Sequence, residues 1–405
     1  MKIGIIGAGA SGLMAAVCAS RLGALVTIFE KNDKPGKKLL STGNGRCNYT
    51  NLLMNSDCYN ASSRAFVEEA LSIFDENDAV GFFKDIGMLS KNKNGYMYPL
   101  SEQANTVLDV LAMECRYNNV NIKKNIKIDN ISQKGSGFIV KYDDKKDYFD
   151  KIIIACGGMA APKTGSDGGG YEFARQFGHT IVKPVPALVQ LRCSDKFFKD
   201  LSGVRCESRV SFYINDRCVG SEQGEVQFTD YGLSGIPVFQ YSGRLARALQ
   251  SGEKCKAVID FMPESTKDEV VLMLNKRHKA SQDKTAMELM IGLFNWNINK
   301  VLLKRAGISA DKKASSLNSR DISGIAYYIK EFDAQITADN GFDRAQVTSG
   351  GVDISEVSAS TMESTLCRGV YFAGEILDVD GRCGGYNLQW AWTSGYIAGR
   401  AAAND

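Results

Sequence analysis

Short apolar runs bounded by glycine alternate with helix-like stretches at both ends of the chain, and strand-like alternation fills much of the middle. Lys2 to Ile6 reads as a buried strand, Leu13 to Leu22 as a helix and Ala24 to Phe29 as a second strand. Pro35 to Asn51 is polar and glycine-rich, which predicts a loop. Ser62 to Ile86 predicts two helices and Asn105 to Asn118 another; Asn121 to Tyr148 predicts short strands with a turn at Asp143 to Lys146. Lys151 to Gly158 is a buried strand running into two glycines, and Gly165 to Tyr171 is a second glycine loop leading to a short helix ending at Phe177. Beyond Pro184 and Pro186 the texture changes. Ala187 to Phe228 alternates, with a turn near Asn215-Asp216, followed by a helix at Ile236 to Gln250 and a strand at Ala257 to Phe261. Ser265 to Arg305 is helical, and its Phe294 and Trp296 are assigned to the core rather than to cofactor stacking. Ser323 to Ala338 predicts a helix then a strand. Gln346 to Val352 and Gly369 to Glu375 are buried strands ending at glycines, and Leu388 to Ala403 is a helix.

Composition narrows the class. A chain of 405 residues implies two or three domains. Its 44% hydrophobic and 23% charged content suits a globular protein with a sizeable core and rules out disordered and collagen-like classes. The net charge of +3, without basic or acidic blocks, argues against nucleic-acid or membrane partners. The eleven cysteines form no CxxC pair, so zinc ribbons and thioredoxin-type sites find no support, and reduced thiols in a cytoplasmic protein are expected. No metal is expected, since there are only two histidines; His179 and His278 are read as capping or solvated residues. The apolar stretch Ile3 to Ser20 imitates a secretory signal, but Gly7, Gly9 and Gly12 interrupt it where a signal would need helix formers.

Those glycines form GxGxxG between a strand and a helix, in a unit of roughly 30 residues that ends in a second strand with Glu30 at its tip. Gly7 turns the chain out of the strand, Gly9 lets a pyrophosphate approach the backbone, and Gly12 allows close helix–sheet packing. The helix N-terminus offers unpaired N–H groups and partial positive charge to phosphates. Glu30 would accept hydrogen bonds from both ribose hydroxyls and would repel a 2′-phosphate. Near the other end, Gly381 to Asn387 leads into the last helix, a second N-terminus able to stabilise the negative charge of a reduced flavin ring. One end of the chain thus suits the diphosphate and the other the ring, which implies a discontinuous cofactor domain. The basic loop from Pro35 to Asn51 is either a set of donors facing that cofactor or a solvated surface loop.

GAGASG at Gly7 to Gly12, GKKLLSTGNGRCNYTN at Gly36 to Asn51, GSDGGGY, GEVQFTDYGLSG, VTSGGV and FAGEILDVDGRCGGYNLQWAWTSGYIAG at Phe372 to Gly399 together cover nearly the whole length. On these blocks the chain resembles the bacterial FAD-dependent oxidoreductase family that includes aminoacetone oxidase and bile-acid 4,6-reductase-like proteins. More distantly it is similar to flavoprotein subunits of fumarate reductase. The resemblance implies an α/β fold: a discontinuous Rossmann-like FAD-binding domain (1–186 and 343–405), an inserted β-barrel-like domain (187–263 and 327–342) and a helical subdomain (264–326). It implies noncovalent FAD. Gly7, Gly9, Ser11, Gly12, Glu30 and Lys31 would hold the ADP half. Lys38, Thr42, Gly43, Arg46 and Cys47 would lie beside the flavin or ribityl chain. Gly374 and Glu375 would bind ribityl hydroxyls, and Gly385, Asn387 and Leu388 would face the pyrimidine edge. Ala10, Leu39, Ile126 and Gly157 complete the expected cofactor contacts.

The expected activity is hydride transfer between a small organic substrate and FAD, with NADH or NADPH as electron partner. An O2-using oxidase of a small amine such as aminoacetone, and a non-catalytic redox sensor, are the alternatives; an RNA-modifying flavoprotein is disfavoured by the charge. Cys47 has no cysteine within ten residues, which argues against dithiol chemistry and favours a packing thiol over a catalytic one. The catalytic acid and the oligomeric state are not assigned from sequence.

Overall fold

A computed structural model describes residues 1–404; Asp405, the last residue of the expected cofactor domain, lies outside the described residues. The chain divides into two compact units, Met1–Pro186 with Phe342–Asp405, and Ala187–Gly341. The first is built on a five-stranded parallel sheet in the order Val370–Phe372, Lys151–Ile154, Lys2–Ile6, Leu25–Phe29, Asn121–Lys123. Ile3, Ile5, Ile152, Ile153 and Ile154 are fully buried, the near-continuous apolar run that a parallel sheet covered on both faces requires. Ile6 lies opposite both Phe29 and Ile154, and Ile154 opposite Phe372. The register therefore brings Gly7, Glu30, Ala155 and Ala373 to one carboxyl edge, where open α/β sheets bind ligands. The second strand lies on one side of the first and Lys151–Ile154 on the other, so the strand order reverses at Gly7.

The first helix, Ala10–Arg21, packs on the last, Tyr386–Asn404. Gly395 and Gly399, one turn apart, make this contact: a Cβ at Gly395 would stand 2.5 Å from the Ser11 carbonyl oxygen, and one at Gly399 2.4 Å from that of Ala15. The two chain ends are thereby held backbone to backbone.

Two features of this unit depart from expectation. Pro35 to Asn51 contains a short helix, Lys37–Ser41, and a 3-10 turn, Thr42–Gly45. A hairpin unread from the sequence pairs Ser90–Lys93 with Tyr96–Pro99 and carries Thr50–Asn51 as a third strand. Its turn residues Asn94 and Gly95 have φ of 54° and 90°, the positive pair that a tight hairpin turn demands.

In the second unit, Leu191–Cys193, Gly232–Ser234, Arg217–Thr229, Arg205–Ile214, Cys255–Asp260 and Phe332–Asp339 form a closed barrel. Helices Lys267–Lys279, Ala286–Met290, Trp296–Arg305 and Ser319–Lys330 share its hydrophobic core. Phe294 packs 5.7 Å from the Phe261 ring, as a core residue should. Trp296 does not: it is 57% exposed, because its helix buries Ile298, Val301 and Leu302 and turns Trp296, Lys300 and Lys304 outward. Among the described residues no helix is long and apolar enough to cross a membrane, and no cluster of three His, Cys, Asp or Glu could hold a metal ion.

His179 is buried rather than solvated. Its N–H caps a helix end by donating to Ala174 O at 3.1 Å. Nε2 lies 2.6 Å from Ser364 Oγ, and Nδ1 is 3.2 Å from Glu356 Oε2 without the alignment of a hydrogen bond. Burial pushes the imidazole below its ordinary pKa, and the nearby Glu356 only partly opposes this. The folded state then binds fewer protons than the unfolded one. Stability from this site is complete above about pH 6.5, the unfolded value, and is lost as pH falls towards the lower folded value. Thermal melts across pH 7.5 to 5 should show wild type losing Tm faster than His179→Gln on acidification; parallel curves would refute the assignment.

Candidate functional site

At the carboxyl edge of the sheet, Gly7 N–H donates to Phe29 O at 2.8 Å and sets the turn into the first helix. A Cβ at Gly12 would lie 2.0 Å from Gly7 O, so only glycine permits this loop to close on its helix. Gly9, the residue before the helix, has no side-chain cap, and the first turn contains no acid. A Cβ at Gly9 would meet nothing within 4 Å. The first amides of the helix and the positive end of its dipole thus border an open cradle, which fits a diphosphate. Ala10 is half-buried, and Ser11, which is buried, donates its hydroxyl to Ala373 O at 3.0 Å. A Cβ at Gly374 would fall 2.4 Å from that hydroxyl, so the two chain ends meet at this point as well.

Glu30 is buried, and its own chain supplies donors to both oxygens. Oε2 accepts from Ala8 N–H at 2.9 Å; Oε1 accepts from the Asn32 backbone N–H and side-chain amide, each at 2.8 Å. This differs from a carboxylate free for two ribose hydroxyls. A buried charge needs partners, and the Ala8 and Asn32 donors supply them. Asn32 Nδ2 also donates to Thr164 O at 3.1 Å, and Lys31 pairs with Asp167 at 2.7 Å, so the second glycine loop is tied to the same strand end. Burial works against ionisation of Asp167, but Lys31 and the Gly169 N–H outweigh it and hold the carboxyl below its ordinary pKa. Ile126, half-buried, donates its N–H to Glu30 O at 2.9 Å. A Cβ at Gly157 would come within 2.9 Å of Ser166 Oγ.

Further along the edge, Lys38 Nζ pairs with Glu375 Oε2 at 2.6 Å. Glu375 Oε1 accepts from Thr348 N–H at 3.0 Å, while Thr348 Oγ1 accepts from Met159 N–H at 2.7 Å and Ala160 N–H at 2.9 Å. Two residues expected beside the cofactor are therefore partners of one another, and Thr348 locks them to the glycine strand end. Sequence reasoning quoted the VTSGGV block without singling out Thr348; nothing in linear spacing places it beside Met159. Leu39 is buried, and the half-buried Thr42 donates its hydroxyl to Leu39 O at 2.6 Å. Gly43 and Arg46 are exposed, and Cys47 is fully buried.

The start of the last helix adjoins this turn. A Cβ at Gly385 would lie 2.7 Å from Thr50 O and 3.1 Å from Asn48 Oδ1. Asn387 closes its own loop, donating to Gly381 O and accepting from Gly381 N–H, both at 2.8 Å, which leaves its amide engaged rather than facing outward. Leu388 is half-buried. Gln389, missed from sequence, is fully buried; it accepts from Thr50 Oγ1 at 2.7 Å and donates to Asp75 O at 2.8 Å. Trp392 Nε1 donates to Tyr49 O at 2.8 Å. These bonds strap the segment after Cys47 to the last helix.

Residues 1–401 match the family described as HI0933-like protein Rossmann domain. The chain is 41% identical over 404 residues to a 3-dehydro-bile acid delta(4,6)-reductase of Clostridium scindens, covering 99% of each chain. It is 30% identical over 398 residues to a ribosomal RNA dihydrouridine synthase of Haemophilus influenzae, covering 97% of this chain and 96% of that one. Among solved structures, a 3-ketosteroid-delta4-(5alpha)-dehydrogenase from Rhodococcus jostii RHA1 superposes with a TM-score of 0.50 at 13% identity, over 100% of this chain and 96% of the other, a likeness of fold. The chain belongs to the HI0933-like family and is a flavin-dependent oxidoreductase with FAD as its cofactor.

Proposed function

We propose that the protein transfers a hydride between noncovalent FAD and a small organic substrate, in the direction of reduction, with NADH or NADPH as electron donor. The observation that carries the reading is the open cradle at Gly9, set at the strand-order reversal and joined to the last helix. In this reading the first amides of helix Ala10–Arg21 hold the diphosphate, and Glu30 uses its remaining Oε2 lone pair, with Lys31 nearby, on the adenosine ribose. The Lys38–Glu375 pair borders the ribityl chain. The turn Thr42 to Cys47 and residues Gly385 to Leu388 flank the ring, where the N-terminus of the last helix favours added negative charge. FAD, when bound, supplies hydride acceptance and donation at its ring.

Substrate class is read from the relatives. A 3-dehydro bile acid with a delta-4 bond and a uridine share one feature, a carbon–carbon double bond conjugated with a carbonyl. We infer that reduction of such a bond is the chemistry, with bile-acid-like ketones favoured by the higher identity, 41% against 30%. The small net charge, +3, gives no support to a polyanionic substrate.

Cys47 takes no part as a nucleophile in this reading. Burial pushes its thiol up to about 12, leaving roughly one part in ten thousand as thiolate at pH 8. Iodoacetamide at pH 8 should leave Cys47 unmodified in the folded protein, read by peptide mass mapping; labelling as fast as at the exposed Cys218 would overturn this.

Gly9→Val should purify without flavin yet melt within a few degrees of the flavin-free wild type, because the added side chain enters the open cradle. Gly12→Val, by contrast, should fail to fold, its Cβ meeting Gly7 O. A yellow Gly9→Val protein would remove the diphosphate from this cradle. Anaerobic mixing with NADH or NADPH should bleach the flavin, and a conjugated ketone should restore its colour. Bleaching by an amine, with recovery only on admitting O2, would instead establish an oxidase; reoxidation by uridine-containing RNA alone would favour the nucleic-acid substrate.

A further inference from the structure

We propose that Asn48 is a flavin-ring ligand whose side-chain Oδ1 accepts the N3–H of the isoalloxazine, the one hydrogen-bond donor on the pyrimidine edge of the oxidised ring. The proposal rests on the FAD reading above and assigns a residue outside the set expected from sequence.

Asn48 Oδ1 is buried and has no hydrogen-bond partner. An unsatisfied buried carbonyl costs on the order of 1–3 kcal/mol, so its retention calls for a donor that the polypeptide itself does not provide. The residue sits between the two segments that flank the ring in this reading. The Asn48 backbone nitrogen is 3.1 Å from the position a Cβ would take at Gly43, and its Oδ1 is 3.1 Å from that position at Gly385. The adjoining backbone is also held in place. The next residue, Tyr49, is fully buried, donates its N–H to Met97 O at 2.9 Å and accepts from Trp392 Nε1 at 2.8 Å, so the backbone bearing Asn48 is fixed from both sides.

The chemistry selects this atom over its neighbours. The pyrimidine edge presents two carbonyl acceptors with one N–H between them. Helix N-terminal amides suit the carbonyls, but the N–H needs an acceptor. Glu375 is occupied by Lys38 and Thr348, Asn387 by its own loop, and Gln389 Oε1 by Thr50. Asn48 is left with a free, uncharged oxygen. A neutral acceptor also avoids setting a carboxylate against the negative charge that a reduced ring carries.

The test separates a ligand role from a structural one. Asn48→Leu removes an unsatisfied polar atom at similar volume. Flavin-free Asn48→Leu should therefore melt at or above the flavin-free wild type, while its Kd for FAD rises about 5- to 30-fold, the range of one to two hydrogen-bond equivalents. FAD methylated at N3 should bind wild type more weakly than FAD does, and Asn48→Leu should discriminate much less between the two. An unchanged Kd for FAD, or a lowered melting temperature with unchanged Kd, would overturn the proposal. So would wild type that binds N3-methyl-FAD as tightly as FAD, a comparison that needs no variant should Asn48→Leu and Asn48→Ala both fail to fold. Wild type that binds neither flavin would sink the FAD reading itself, a result distinct from loss of discrimination.

Discussion

The contact between Gly395 and Gly399 on the last helix and the Ser11 and Ala15 carbonyls on the first is the constraint from which the cofactor site follows. The two helices are separated by most of the chain, yet no side chain stands between their backbones at these positions. Because the first helix begins at the open Gly9 cradle and the last begins beside Asn48 and Thr50, this seam sets the distance between the two helix N-termini. Ser11 reinforces the same junction by bonding Ala373 O, and Ser394 does so from the other side by accepting from Gly374 N–H at 2.8 Å.

Electrostatic order follows from how the charges pair. Glu30 is neutralised by amides, Lys31 by Asp167, and Lys38 by Glu375. Glu30 and the Lys38–Glu375 pair are buried or half-buried, where an unmatched charge would be costly, while Lys31–Asp167 is exposed; each ties one segment to another. What remains uncompensated at the cradle is the dipole of the first helix. In the proposed reading a diphosphate would be held through backbone amides rather than an excess of basic side chains, which accords with a net charge of only +3.

Much of this architecture was legible in the sequence because it is written in local patterns. GxGxxG between two apolar strands, the buried runs at Lys151 and Val370, and the glycine-led last helix each have a period or a turn that declares itself within ten residues. The hairpin at Asn94-Gly95 carried an equally local signal and went unread. Other features were not legible, because they depend on which distant side chains reach each other. Glu30 fixing its own phosphate loop, Lys38 and Glu375 pairing together, Thr348 binding Met159 and Asn387 closing its loop all turn on contacts across a folded edge. Motif matching names residues that line a site but does not say which of them face the ligand and which hold the ones that do. Trp296 shows the converse error, since a large aromatic in a helical stretch suggests core until the helix phase is known.

That distinction bears on why the site is stable with some of its polar groups unmet. The residues that brace the cradle are satisfied within the chain, so the edge of the sheet keeps its shape through its own hydrogen bonds. Asn48, by contrast, is half-buried, and its Oδ1 is buried without a partner beside the segments proposed to flank the ring. Rigid support with an unmet polar atom at the proposed ring surface is an arrangement that would favour tight binding: little ordering is required on association, and a ligand bonding that atom would relieve a penalty already present in the folded chain. A cofactor that binds only the folded state stabilises it by RT ln(1 + c/Kd) at free concentration c, which couples retention of the flavin to the persistence of the fold.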